Sequence, residues 1–247
     1  MKSKNCNFSR RAALLRLLLS LFVVASSASL AESLAPQPIR VACVGDSITY
    51  GAGLTNRNNE SYPAWLGRWM GPGYEVRNFG KSGATLLHKG DRPYNKQSQH
   101  EKALEFKPDI VVIMLGTNDS KHRGGGLPTT NSIPDNWQYK ADYVPDYEAL
   151  MAEFRAANPA ATIYVCCPTP CFPGEGGIDD KIIHHEICPL VRKVARQCHA
   201  KLIDLYKPFK NKGDLFPDTV HPNNAGAKMM AAVVYQALTG KKAALNH

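Results

Sequence analysis

The stretch VACVGDSITYGAG, residues 41–53, is where the reading of the chain turns. Its opening run is small or β-branched and apolar, suited to a strand covered on both faces. The chain leaves that strand through Gly45-Asp46-Ser47, and glycines return at 51 and 53. An aspartate and a serine in that place can simply cap the next helix. They can also hold Ser47 at the carboxyl edge of a sheet, where open α/β folds place their ligands. The rest of the sequence discriminates between the two.

Working outward, apolar runs bounded by turn residues recur at 39–44, 74–79, 110–115, 162–166 and 201–205. Helical segments alternate with them: YPAWLGRWM, QSQHEKALEF, YVPDYEALMAEFRAA, a long one over 179–200 and AGAKMMAAVVYQAL. In the third, Val144, Tyr147, Leu150, Met151 and Phe154 recur at helical spacing. Pro189 is expected to kink or divide the fourth. Five strand–helix alternations predict an α/β domain, a three-layer α/β/α sandwich around a five-stranded parallel sheet. One connection, 120–142, is long and polar, and its position after the third strand lets it overhang the ligand edge.

The first 31 residues carry Lys2, Lys4, Arg10, Arg11 and Arg16 and no acid, followed by an apolar run and small residues. That is the layout of a secretory signal peptide, leaving a domain over 32–247 in an exported, periplasmic or secreted protein. Ser9-Arg10-Arg11 suits the twin-arginine route as well as an ordinary basic leader. The whole chain is +9, from 30 bases and 21 acids; five of those bases lie in the leader, so residues 32–247 carry +4. With no basic cluster in that part, a nucleic-acid partner is not supported, and no membrane span remains once the leader is removed. The composition leaves the oligomeric state open. Six cysteines follow the leader. Cys43 and Cys166 read as buried, whereas Cys171, Cys188 and Cys198 are the better disulfide candidates. His184 and Cys188 lie one helical turn apart without further ligands at metal spacing.

Four segments gather at the predicted ligand edge: GDSIT after the first strand, NFGKSGAT after the second, GTND after the third, and DTVHP before the last helix. In this order they resemble the SGNH superfamily of GDSL esterases and lipases, although the first block reads Gly-Asp-Ser-Ile. The resemblance implies a flavodoxin-like fold and acyl transfer through Ser47, His221 and Asp218. Its oxyanion donors would be the N–H groups of Ser47 and Gly80 and the amide of Asn118, with no metal or organic cofactor. The chemistry suits those residue types. A serine hydroxyl needs an imidazole to take its proton, and a carboxylate fixes the imidazole tautomer. Asp214 could orient His221 instead, but its spacing does not match the block. Asp46 and Asp119 are expected to hold their turns.

Other classes fit less well. A phosphate-binding loop ending at Gly80-Lys81-Ser82 would need glycine at position 75, which is glutamate. The GxSxG elbow of ordinary α/β-hydrolases is missing. A catalytically silent carbohydrate-binding protein would not need the complete set of reactive residues. Within the superfamily, GTNDSK, NWQYKADYVPDYEALM and FPDTVHPNNAGAKMMA resemble the sialate O-acetylesterase-like branch. That points to short-chain acetyl esters on carbohydrates, with a lysophospholipase- or thioesterase-type lipid esterase as the alternative. Trp137 and Arg123, among the polar residues of the long connection, are the expected substrate-binding residues. The competing reading is that Trp137 anchors the connection to the body.

Overall fold

The computed structural model describes residues 37–122, 134–173 and 177–243. The expected leader at 1–31 and Arg123 lie outside them. The five apolar runs form β1 (Ile39–Gly45), β2 (Tyr74–Gly80), β3 (Ile110–Met114), β4 (Thr162–Cys167) and β5 (Lys201–Asp204). All pair in parallel, in the order β2-β1-β3-β4-β5. This is the flavodoxin-like order, and its switch point falls between β1 and β3. Ser47 follows one of those strands and Asn118 the other.

Alternation along β1 builds both sides of the core. Ala42 and Val44 join Val111 and Ile113 in one apolar layer. Val41 and Cys43 join Val112 and Met114 in the other. The first layer is covered by α4 (Ser98–Glu105), α5 (Tyr143–Ala157) and α6 (Cys188–Gln197), which supply Ala103, Tyr147, Phe154, Val191 and Val194. The second is covered by α3 (Tyr62–Met70) and α7 (Asn224–Thr239), through Leu66, Met70, Met230 and Val234. A one-residue slip in β1 would exchange these two sets of side chains, so burial on both faces fixes the register.

The helix expected over 179–200 is broken more elaborately than a kink. Asp179 caps a single turn at Asp180–Ile182, accepting from the N–H groups of Lys181 and Ile182. A π turn spans Ile183–Ile187, in which the Cys188 N–H donates to the Ile183 carbonyl, and α6 begins there. Pro189 has no N–H to offer the carbonyl four residues back, and its ring crowds that carbonyl. The wider turn accommodates both.

The disulfide expectation needs correction: Cys171, Cys188 and Cys198 are thiols, as are the other described cysteines. Cys171 Sγ lies 3.7 Å from the Ile178 carbonyl and Cys198 Sγ 3.7 Å from Glu148. Cys188 is buried beside Cys167, whose Sγ is 3.8 Å from the Cys188 carbonyl.

Candidate active site

β1 ends at Gly45, where any Cβ would lie 2.6 Å from the Met114 carbonyl oxygen of β3. Only glycine lets the chain turn there. Asp46 then caps the single-turn helix α1 (Ser47–Tyr50): its Oδ1 accepts from the Ile48 N–H at 2.9 Å. The capping reading of the opening stretch holds, and Ser47 follows the strand end at which it was expected. Asp46 caps, and the capped turn presents Ser47, 8% exposed, at the end of the strand.

The Ser47 hydroxyl lies 2.8 Å from His221 Nε2, and His221 Nδ1 lies 2.7 Å from Asp218 Oδ2. These three residues come from opposite ends of the chain. The Asp218 carboxylate also accepts from the Val220 N–H at 3.1 Å and from the His221 N–H at 2.6 Å. Partial burial pushes the Asp218 carboxyl up. The hydrogen bonds from the His221 N–H, its ring and the Val220 N–H outweigh that and hold it below the usual carboxylate range. Asp214 is not part of this chain; its carbonyl accepts from Asn223 Nδ2.

Asn118 opens the 310 turn Asn118–Ser120 just beyond β3 and is 5% exposed. Its Nδ2 donates to the Ala84 carbonyl at 3.1 Å, which leaves one amide hydrogen for another acceptor. Asp119 holds the same loop from the other side, accepting from the N–H groups of Leu86 and Leu87 at 3.0 and 2.8 Å. Burial raises Asp119 to about 7 against those two bonds, and the charge of nearby Asp46 adds to the rise. Asp46 itself is raised to about 6 by burial. Its Oδ2 and the Thr117 hydroxyl are both buried without a hydrogen bond of standard geometry.

Gly80 does not fill the role expected of it. Its N–H donates to Asn78 Oδ1 at 2.9 Å and is no longer available to an oxyanion. Glycine is needed there for packing, since a Cβ would sit 2.2 Å from the Tyr50 nitrogen. Asn78 completes the staple by donating to the Thr49 carbonyl at 2.8 Å, tying β2 to α1. The turn after Gly80 is closed by the Ala84 N–H on the Lys81 carbonyl at 3.0 Å. It contains Gly83 at φ 78°, a left-handed conformation that favours glycine. The same turn supplies the Ala84 carbonyl that Asn118 contacts. Sequence reasoning passed over Gly83 because Gly80 stands only three residues away in the same block.

Trp137 also needs correction as a substrate-binding residue. It is 4% exposed, its ring meets Tyr143 edge-on at 5.5 Å, and its Nε1–H donates to Glu186 at 3.0 Å. Both the face and the donor are occupied, so Trp137 anchors the connection. Asn136 does similar work. It donates to the Asn118 carbonyl and to Asp91, and accepts from the Asp91 N–H. Among the described residues no group of three His, Cys, Asp or Glu side chains converges as metal ligands. No described helix is long and apolar enough to cross a membrane.

The pattern of the GDSL-like lipase/acylhydrolase family matches residues 43–229. An acetylxylan esterase from Xylanibacter ruminicola is 41% identical over 218 residues, 81% of this chain and 43% of that protein. A cellulase/esterase from Acetivibrio thermocellus is 24% identical, over 80% of this chain and 25% of its own length. The chain thus spans less than half the length of either relative. A solved structure of a catalytic mutant of an acetylxylan esterase from Geobacillus stearothermophilus superposes with a TM-score of 0.62. It is 22% identical and covers 82% of this chain and 95% of its own, a likeness of fold.

Proposed function

The chain belongs to the GDSL-like lipase/acylhydrolase family, a family of carboxylic ester hydrolases, and from that premise we propose that it removes acetyl groups from carbohydrate esters. The observation that carries the reading is the continuous Asp218–His221–Ser47 hydrogen-bond chain at 2.7 and 2.8 Å. Ser47 Oγ attacks the ester carbonyl carbon while His221 Nε2 takes its proton. Asp218 accepts the other ring N–H and stabilises the imidazolium. The tetrahedral intermediate collapses as its C–O bond to the sugar breaks, and His221 returns the proton to the departing alkoxide. A water molecule then gives a proton to His221 as its oxygen attacks the acetyl carbon. The bond from that carbon to Ser47 Oγ breaks, His221 returns the proton to Oγ, and acetic acid leaves and ionises to acetate.

The developing oxyanion requires donors that are not already engaged. The Ser47 N–H is the first of α1 and has no intrahelical acceptor. The remaining hydrogen on Asn118 Nδ2 is the second donor. For the third we assign the N–H of Gly83 in place of that of Gly80, because the turn carrying it adjoins Asn118 and no described residue accepts from it. Acetylated carbohydrate as substrate is supported by the 41% identical relative, an acetylxylan esterase. Export, through the basic and apolar first 31 residues, belongs to the same proposal.

The test is hydrolysis of nitrophenyl acetate and acetylated xylan by the wild type and Ser47→Ala. Losing the nucleophile of a serine hydrolase costs on the order of a millionfold in turnover. Near-normal release of acetate by a folded Ser47→Ala protein would overturn the reading.

A further inference from the structure

A cleft of about 560 Å3 lies beside α1 and β2, lined by Tyr50 from the first and by Val76, Asn78 and Gly80 from the second. Its size is that of a small-ligand site. Tyr50, Arg57, Asn58 and Gln99 supply its polar wall, and Ala64 and Val76 are among its apolar residues. Tyr50 is the last residue of α1, three residues after Ser47. That spacing puts the two side chains on one helical face, roughly 5–6 Å apart at Cβ. Gly80, packed against the Tyr50 backbone, also lines the cleft.

Arg57, the first residue of the short helix α2 (Arg57–Glu60), is the informative residue. Its guanidinium lies over the Tyr50 ring, 4.1 Å from the centroid, which orients the planar fork. Yet it has no carboxylate partner and no hydrogen-bond acceptor among the described residues. The neighbouring acid, Glu60, accepts instead from the Asn56 N–H. The Asn58 side chain has no partner either, and Gln99 engages only its Oε1, with the Ser98 hydroxyl. No acid lines the cleft. The cleft therefore combines the oriented Arg57 guanidinium and the unengaged amides of Asn58 and Gln99 with the apolar side chains of Ala64 and Val76. An acyl chain lodged there would leave those donors unpaired. A sugar offers hydroxyl and ring oxygens to the donors and C–H faces to Ala64 and Val76.

We propose that this cleft binds the glycan backbone of the acetylated substrate, with Arg57 as its principal contact. The proposal rests on the esterase reading above and supplies the sugar subsite that Trp137 does not provide. The acetyl group points to Ser47 and the chain runs along β2.

Binding and turnover separate the two readings. Calorimetry on Ser47→Ala with acetylated xylo-oligosaccharides reads binding alone. Adding Arg57→Ala to that background is expected to weaken binding at least tenfold, and Asn58→Ala by a smaller factor. In the active protein, Arg57→Ala should cost at least tenfold more kcat/KM on the oligosaccharide than on nitrophenyl acetate, chiefly through KM. Arg57 and Asn58 are exposed, and melting curves of both variants check that the fold is kept. Oligosaccharide binding that ignores Arg57, equal losses on both esters, or no binding to Ser47→Ala would each overturn the cleft assignment. Failure of the wild type to cleave nitrophenyl acetate would instead remove the esterase reading, and the calorimetry would still report on the cleft.

Discussion

Thr219 stands at φ 75°, a left-handed conformation in which a β-branched residue is strained by roughly 1–3 kcal/mol. Its backbone is pinned on both sides: its N–H donates to the Phe216 carbonyl, and its carbonyl accepts from the Phe172 N–H, each at 2.9 Å. The strained turn folds the Asp218 carboxylate back beneath the imidazole of His221, so one oxygen takes backbone N–H groups while the other faces Nδ1. Asp218→Asn keeps the shape of this turn. With its amide oxygen held by the backbone donors, it presents an NH2 group to Nδ1 and favours the wrong tautomer. We expect kcat to fall about 10^4-fold, the scale seen when such a triad aspartate is replaced by asparagine. Circular dichroism should be unchanged. A loss below about tenfold in steady-state assays would remove Asp218 from the proposed triad.

At the scale of elements, legibility follows the physics of each segment. β1 and β3 were readable because strands buried on both faces must be apolar throughout. Helix α5 was readable over its full length because Tyr147, Leu150, Met151 and Phe154 keep one face buried. Choosing between Gly80 and Gly83 was not possible from spacing, since it depends on which N–H the Asn78 side chain captures. The arginine cleft was equally hidden, because its walls come from residues 50–64, 76–80 and 99 and meet only after folding. The connection after β3 is unusually long and polar, but its sequence allows the tryptophan to face outward or inward. Its burial against Tyr143 and its bond to Glu186 make a different prediction from a sugar platform. Truncating such a ring typically costs about 3–5 kcal/mol. Trp137→Ala should therefore lower the melting temperature by several degrees or more. Because Asn136 beside it contacts Asn118, activity on acetylated oligosaccharide and on nitrophenyl acetate should fall in parallel. A loss confined to the oligosaccharide, with no change in melting, would return Trp137 to the substrate site.

For the whole molecule, catalysis and stability are set against each other along the pH axis. The proposed mechanism needs a neutral His221 imidazole, so acid is expected to remove activity. Stability runs the other way through the two buried carboxyls beneath the site. Burial raises Asp46 to about 6 and Asp119 to about 7, above their ordinary value of 3.8. Between those limits the folded state holds protons that the unfolded chain has released, so stability falls as pH rises. The contribution is complete below about 4 and is lost as pH climbs through about 6 and about 7. Asp109, Asp218 and Glu186 act in the opposite sense. Their folded carboxyls lie below the ordinary range, so what they contribute is lost only as acid protonates them, at pH below their ordinary values. The melting temperature is therefore expected to peak on the acid side of neutrality and to decline from pH 5 to pH 8. Asp46→Asn tests the origin of that decline. The amide oxygen can keep the Ile48 N–H, and the NH2 group replaces the unpartnered Oδ2 beside the Thr117 hydroxyl. The variant should melt several degrees above the wild type at pH 8, be nearly equal to it at pH 4.5, and show a flatter profile between. A wild-type melting temperature that rises from pH 5 to pH 8, or an Asp46→Asn profile parallel to it, would mean that these carboxyls do not carry the linkage.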